Sequence, residues 1–270
     1  MDISFVLLTW NSEKYISKCL DSLFADMKKT QFSHEIFVVD NGSQDNTTPI
    51  IRSFKEKYPE HIIPIYLAKN TGTTYSRNLA LKRAKGEYIV IMDSDIEVCK
   101  GTIEELVKAL SENENVGLVA PKLVYPDNSL QKSTDVFPTI WTKIFRYFFL
   151  KVIEKRDSRF PEGERLCEVD YAISAMWALK REVLEKVGLL DENIFYSPED
   201  VDYCLRVWKA GYRVVYDSGI WCVHHTQELS RGLRINTATL NHIRGLVYYF
   251  TKHQYVVNRP KHNEMKTLRE

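Results

Sequence analysis

Four times in the first 100 residues a short apolar run stops abruptly at a cluster of polar residues. Residues 3–8 end at Thr9-Trp10-Asn11-Ser12, and residues 35–39 at Asp40-Asn41-Gly42-Ser43. Residues 62–67 lead to Lys69-Asn70-Thr71-Gly72, and a run beginning after Gly86 climbs to Met92 and meets Asp93-Ser94-Asp95. Runs this short and rich in β-branched residues read as buried strands. Between them, apolar residues recur at helical spacing, as at Ile16, Leu20, Leu23 and Phe24. The pattern predicts helices over residues 14–24, 48–58 and 75–84, the first capped by Asn11 or Ser12. Alternating strands and helices imply a mostly parallel sheet with right-handed crossovers, its polar turns collected along one edge. Ligands bind at that edge in open α/β sheets.

Beyond residue 100 the pattern loosens. A helix is predicted over residues 102–110, then a strand over 116–120 closed by Pro121. Residues 125–166 are less regular and hold an aromatic stretch, 141–153, flanked by Lys and Arg. That stretch reads as a lid, an acceptor-facing helix, an amphipathic helix at a membrane surface, or a helix on the domain's own core. Residues 169–178 read as strand-like, and 181–187 as a short helix ended by Gly188. A loop over 189–198 leads to a helix opened by Glu199-Asp200 and running to Ala210. A strand is predicted over 213–216, the segment 220–225 carries two adjacent histidines that follow a strand, and an aromatic helix is predicted over 239–250. The basic tail after Arg259 is expected to fray.

The chain has 270 residues, 44% hydrophobic, enough for one large domain. A formal net charge of +1 leaves no electrostatic footprint for nucleic acid. The five cysteines are widely spaced and form no Cys-x-x-Cys pair. They argue for reduced thiols in the cytosol, against a disulfide framework or zinc site. The N-terminus lacks signal-peptide features, and no apolar run is long enough to span a membrane. Neither a Walker-type phosphate loop nor a Gly-x-Gly-x-x-Gly fingerprint occurs.

The chemistry concentrates in the polar tips. Asp93 and Asp95 repel each other unless a cation lies between them, and hard oxygen ligands suit Mg²⁺ or Mn²⁺. The alternative is a polar turn. Asp40 can accept a base imide or a ribose hydroxyl, or close an Asx-turn with Asn41, while Gly42 is free to adopt φ > 0. Asn70, Gly72 and Arg77 fit a phosphate-facing loop, with Arg77 as fixed charge or as a solvated helix residue. Glu199 and Asp200 serve as a general base pair or merely cap their helix. His224 or His225, pointing to opposite faces of a continuing strand, can complete an oxygen-rich metal site.

Taken in order, Thr9-Trp10-Asn11-Ser12, Val38 to Asp45, Asn70-Thr71-Gly72, Asp93-Ser94-Asp95, Pro198 to Arg206 and His224 resemble the family 2 glycosyltransferases of GT-A fold. Asp170 to Arg206, with Gly188-Leu189-Leu190-Asp191-Glu192, is most similar to the bacterial rhamnosyltransferase-like branch. The resemblance implies a Rossmann-like mixed sheet flanked by helices. A nucleotide-sugar half over 1–100 and an acceptor half over 101–230 make one domain, with a helical extension over 231–270. It implies inverting transfer from a UDP- or dTDP-sugar to a hydroxyl of a glycan or lipid-linked acceptor, in cytosolic surface polysaccharide assembly, with peripheral contact at the inner membrane face compatible with it. Asp40 would contact the base, Thr9 and Asn11 would line the nucleoside pocket and Asp93 would face the ribose, with Asn41 and Ser94 also among the residues that bind the nucleotide-sugar. Asp95 and His224 would hold Mn²⁺ or Mg²⁺. Asp200 would be the base, Glu199 would orient it, and Asp170 would lie near donor sugar or acceptor. The branch often carries Asn-Pro-Asp where Asp93-Ser94-Asp95 stands, which points to firmer metal dependence and away from rhamnose. Rival readings are a sugar-nucleotide nucleotidylyltransferase and a non-catalytic nucleotide-sugar-binding module.

Overall fold

The computed structural model describes residues 1–142, 165–226 and 237–260. Residues 143–153 of the aromatic stretch, the 230/231 boundary and the tail after Pro260 lie outside them. The first half follows the predicted alternation: β1 Ile3–Thr9, α1 Ile16–Met27, β2 His34–Asp40, α2 Thr47–Lys57, β3 Ile62–Tyr66, α3 Thr73–Leu81, β4 Tyr88–Asp93. The second half contains β5 Ile96–Val98, α4 Thr102–Ser111, β6 Val116–Val124, β7 Leu130–Gln131, β8 Thr134–Asp135, β9 Leu166–Glu168, β10 Tyr171–Ala172 and β11 Met176–Lys180. It closes with α5 Arg181–Val187, α6 Glu199–Lys209, β12 Arg213–His224 and α7 Thr237–His253.

One large sheet runs in the order β3-β2-β1-β4-β11-β6-β12-β5, with β7 and β9 paired at its side, and β8 and β10 form a small second sheet. β3, β2, β1 and β4 are mutually parallel, whereas β11 enters antiparallel to both β4 and β6. The chain steps outward from β1 to β3, then returns to β1's other side as β4, creating the crevice where such sheets bind ligands. Register puts Thr9 opposite Asp40 and Leu8 opposite Asp93, so the polar tips share one edge.

Alternation along the strands divides the core between the sheet's two faces. Phe5, Leu7, Ile36 and Val38 join α1 and α4, while Val6, Phe37 and Val39 join residues of α3, α6 and α7. Burial on both faces is why these strands read as continuous apolar runs.

Several predicted boundaries shift for local reasons. α1 starts at Ile16, because Ser12 contributes its carbonyl to the N–H groups of Tyr15 and Ile16 while its own N–H goes to Thr47. β6 continues through Pro121, which pairs with Asp217 where β12 breaks register before Trp221. A missing N–H is tolerated at such an irregularity. The same bulge explains why the strand read in sequence stops at residue 216, short of the end of β12. The expected strand over 169–178 is interrupted between β10 and β11, because Ser174 turns both its hydroxyl and its carbonyl to Arg77.

Among the described residues no helix is long and apolar enough to cross a membrane. All five cysteines are free thiols. Burial pushes the Cys19, Cys204 and Cys222 thiols up, away from nucleophilic thiolate.

Candidate active site

The polar rim is tightly self-bonded. Asp40, 2% exposed, accepts Ser43 N–H at 2.9 Å and pairs with the Thr48 hydroxyl, closing the turn that was the alternative to base contact. Asn11, at φ 50°, accepts Gln44 N–H at 2.8 Å and so ties the first tip to the second. Asn41 reaches across to the third: its amide donates to Asn70 at 3.1 Å and to the Gly72 carbonyl at 3.2 Å, and it accepts Thr71 N–H at 2.9 Å. Gly42 takes the positive φ anticipated, +78°. At Gly72, φ is +88° and a Cβ would come within 2.3 Å of the Phe195 carbonyl, so only glycine lets residue 195 approach. Ser94 donates to Ser12 at 2.8 Å and is 4% exposed. Thr9 is 1% exposed, and its hydroxyl has no hydrogen-bond partner. A buried hydroxyl left unpaired at a ligand edge is one that a ligand can satisfy.

Asp93 ends β4, and Asp95 lies between β4 and β5. β5 pairs antiparallel with the end of β12, Ile96 opposite His224, and His225 N–H donates to the Asp95 carbonyl at 2.9 Å. This pairing puts the His224 ring beside Asp95, with Nε2 at 3.3 Å from Oδ1. His225 points the other way, to Glu97 at 3.1 Å. Ligand atoms of Asp93, Asp95 and His224 all lie within 4.8 Å of one another. A hard cation with ligands at about 2.1–2.4 Å spans a group of that size, and two carboxylates with an imidazole suit Mn²⁺ or Mg²⁺. The residues present therefore fit a divalent metal.

Sequence reasoning missed Gln131. Its Oε1 lies 2.8 Å from His224 Nδ1, and it is 7% exposed on β7. Accepting the Nδ1–H fixes the tautomer that leaves Nε2 with a lone pair facing Asp95. Only the folding back of β7 onto β6 brings Gln131 there, 93 positions from its partner.

Arg77 is placed differently from its expected phosphate contact. It is 1% exposed, with its guanidinium 2.5 Å from Asp93, 2.8 Å from the Ser174 hydroxyl and 3.7 Å from Glu199. It lies beneath the rim and joins the two acidic pairs, because α3 carries it inward against the β10–β11 turn. Crowding by protein atoms pushes the Asp93 carboxyl up, Arg77 opposes this and Asp95 adds to it. Glu199, which accepts the Ser174 hydroxyl at 3.0 Å, is pushed up to about 8 by burial and then by neighbouring Asp200, against the pull of Arg77. At neutral pH Glu199 is chiefly the neutral acid. Both open α6, whose first turn also holds Asp202 and meets the positive end of the helix dipole. Asp170 is not part of the metal-type group: it accepts Phe137 N–H at 2.8 Å and is 6% exposed.

A family model described as glycosyl transferase family 2 matches residues 4–188. The chain belongs to glycosyltransferase family 2. Poly(ribitol-phosphate) beta-N-acetylglucosaminyltransferase TarS of Staphylococcus aureus is 28% identical over 212 residues, covering 73% of this chain and 35% of TarS. The glycosyltransferase YfnE of Bacillus subtilis is 31% identical over 257 residues, 83% of this chain and 64% of YfnE. The chain thus spans about a third of TarS and under two thirds of YfnE. Among solved structures, a Pyrobaculum calidifontis mannosyltransferase in complex with GDP-Man and Mn²⁺ matches at TM-score 0.65 and 21% identity, over 98% of this chain and 67% of that one. TarS residues 1–349 with UDP-GlcNAc match at TM-score 0.55 and 22% identity, over 84% of this chain and 59% of that one. The fold of this family 2 chain is the GT-A fold of those enzymes.

Proposed function

We propose that this family 2 chain is an inverting glycosyltransferase that moves a sugar from a UDP- or dTDP-sugar to a hydroxyl of a glycan or lipid-linked acceptor. The observation that carries the reading is the meeting of Asp93, Asp95 and His224 at the carboxyl end of β4, joined through Arg77 to the acids that open α6. Asp95 and His224, with Asp93 beside them, would hold the cation. Bound there, Mn²⁺ or Mg²⁺ supplies positive charge to the diphosphate leaving group. Asp200 takes the proton of the attacking hydroxyl, while Glu199, held by Ser174, positions it. Attack opposite the leaving diphosphate inverts the anomeric centre. The Thr9 hydroxyl offers the nucleoside a partner at the β1 edge. Asp40 and Asn41 shape that pocket through the turns they close. A UDP donor is favoured by the TarS complex, which contains UDP-GlcNAc.

The same proposal includes work at the cytoplasmic face of a membrane, in polysaccharide assembly. α7 leaves Leu240, Ile243 and Val247 exposed along one side, a face suited to a lipid surface. The deciding experiment is a thermal-shift panel of UDP-, dTDP- and GDP-sugars with and without Mn²⁺. Stabilisation by a UDP- or dTDP-sugar that requires Mn²⁺ and is reversed by EDTA is expected. Metal-independent stabilisation, or none with any donor, contradicts the reading.

A further inference from the structure

Gly245, Tyr248, Tyr249 and Lys252 recur along α7 at i, i+3, i+4 and i+7, a spacing that puts them on one stripe of the helix. That stripe faces the protein, on the side away from Leu240, Ile243 and Val247, and Tyr249 on it is fully buried. α7 lies beyond residues 4–188, the part that the family model matches, and it rests on the segment that carries Asp200.

One ammonium ties the ends of that segment together. Lys252 Nζ lies 2.6 Å from Asp191 Oδ2 and 2.6 Å from Asp202 Oδ1, joining the loop after α5 to the first turn of α6. The Tyr248 hydroxyl donates to Asp191 at 2.9 Å and accepts from the Asn193 amide at 3.1 Å. Asp202 is fully buried and also meets Arg206 at 2.8 Å and His253 Nε2 at 2.8 Å. A carboxylate so far from water needs its cations in place, which holds α7 and the start of α6 at a fixed separation. Between these anchors the two backbones nearly touch. A Cβ at Gly245 would come within 2.1 Å of the Ser197 carbonyl oxygen and 3.1 Å of Pro198 Cδ. Glycine weakens a helix interior relative to alanine, and this approach is the physical reason for one here.

α3 grips the other flank of the same loop. Thr73 N–H donates to the Phe195 carbonyl at 2.7 Å, and the Thr74 hydroxyl to the Ile194 carbonyl at 2.7 Å. Ser197, Pro198, Asp200 and Val201 form one wall of a cavity of about 140 Å³, and Ser133 and Tyr171 belong to the wall beyond it. A shift of Ser197 therefore moves Asp200 against that cavity.

We infer that α7 is a brace that sets where Asp200 stands, with Lys252 and Gly245 as its positioning residues. Lys252 acts through Asp202, just past Asp200 in the first turn of α6, and Gly245 acts through Ser197, just before it. The inference rests on the proposed role of Asp200 as the base, yet the brace itself is measured without turnover.

The test compares the full chain with Lys252→Met, Lys252→Arg and Gly245→Ala. Hydrogen exchange is followed by mass spectrometry, and diphosphate release is followed from UDP-GlcNAc, UDP-glucose and dTDP-glucose with Mn²⁺ and water as acceptor. In Lys252→Met, exchange across residues 191–202 should rise about ten-fold while β1 to β4 stay as protected as in the wild type. Its kcat should fall about ten-fold or more at unchanged donor KM, since a small misplacement of a reacting group is costly. Lys252→Arg, which keeps the charge, should recover most of both. Gly245→Ala, which pushes on Ser197 with every ion pair intact, should lower kcat in the same way, again at constant donor KM. The inference is overturned if exchange over 191–202 is unchanged in Lys252→Met, if it rises equally across the sheet, or if the loss is in KM and not in kcat. Wild-type kcat in Asp200→Asn, or no diphosphate release by the wild type from any of the three donors, would count against the transferase reading instead, and the exchange pattern would still decide the brace.

Discussion

The edge proposed for the donor and the cavity wall beside Asp200 are built on opposite plans. At the donor edge each functional tip directly follows its own strand, and the tips bond chiefly to one another: Asn11 to Gln44, Asn41 to Asn70 and Gly72, Ser94 to Ser12. The cavity wall is assembled from residues 132–135, Tyr171, Ile173, Ser197, Pro198, Asp200 and Val201, and there an unpaired hydroxyl remains at Ser133. A self-satisfied edge is rigid before ligand arrives and holds a constant part of the substrate. An edge with an unpaired group awaits its partner. The difference teaches where order resides: the edge at the strand ends is prearranged by its own hydrogen bonds, and the wall beside Asp200 is made of side chains contributed by irregular segments.

The hardest test of this contrast is Asp200→Asn. It should lower the transfer rate by about 10²- to 10⁴-fold, the usual worth of a general base, while nucleotide binding stays within error by calorimetry. Equal loss of nucleotide binding would merge the two regions into one. Next in size is Gln131→Ala, which removes the partner that sets the His224 tautomer. Mn²⁺ affinity, read by titration calorimetry, should fall about 10- to 100-fold, and Gln131→Glu should recover part of it. Asn41→Ala strips four hydrogen bonds from the donor edge and should destabilise by about 2 kcal/mol in urea melts, with weaker UDP binding.

The smallest effect concerns pH. Glu199 is held up to about 8 in the folded protein, above its ordinary value of 4.5. Between those values the folded state retains a proton that the unfolded chain releases. The stability linked to this group is therefore full below pH 4.5 and is lost as pH rises toward 8. Glu199→Gln should flatten that part of the melting-temperature profile between pH 5 and 8. An unchanged slope would return Glu199 to the ordinary carboxylates of a helix start.

Much of the donor edge was legible because βα units are local. A strand of period 2 buried on both faces announces itself by composition, and the residue after it is at the edge by chain continuity. Thr9, Asp40, Asp93 and Asp95 could thus be placed at the strand ends without coordinates. Their partners could not. Arg77 reads as a helix charge near phosphates, yet α3 turns it inward to join Asp93 and Glu199. Asp170 follows the acceptor-side pattern, and its carboxylate accepts the N–H of Phe137, 33 positions earlier. Gln131 and Ser133 have no pattern at all, lying in a segment whose strands are two residues long.

By itself the sequence determined the strand-and-helix alternation, the polar edge, the order of the acidic pairs and family 2 membership, since each is written in neighbouring residues. Tertiary structure alone decided which histidine faces Asp95, that Arg77 links the two acidic pairs, and that an unpaired Ser133 lines a cavity beside Asp200. The physical reason is separation along the chain. His224 lies 93 positions from Gln131 and Arg77 lies 97 from Ser174, and no local propensity reports contacts that only strand pairing and helix packing over such separations create.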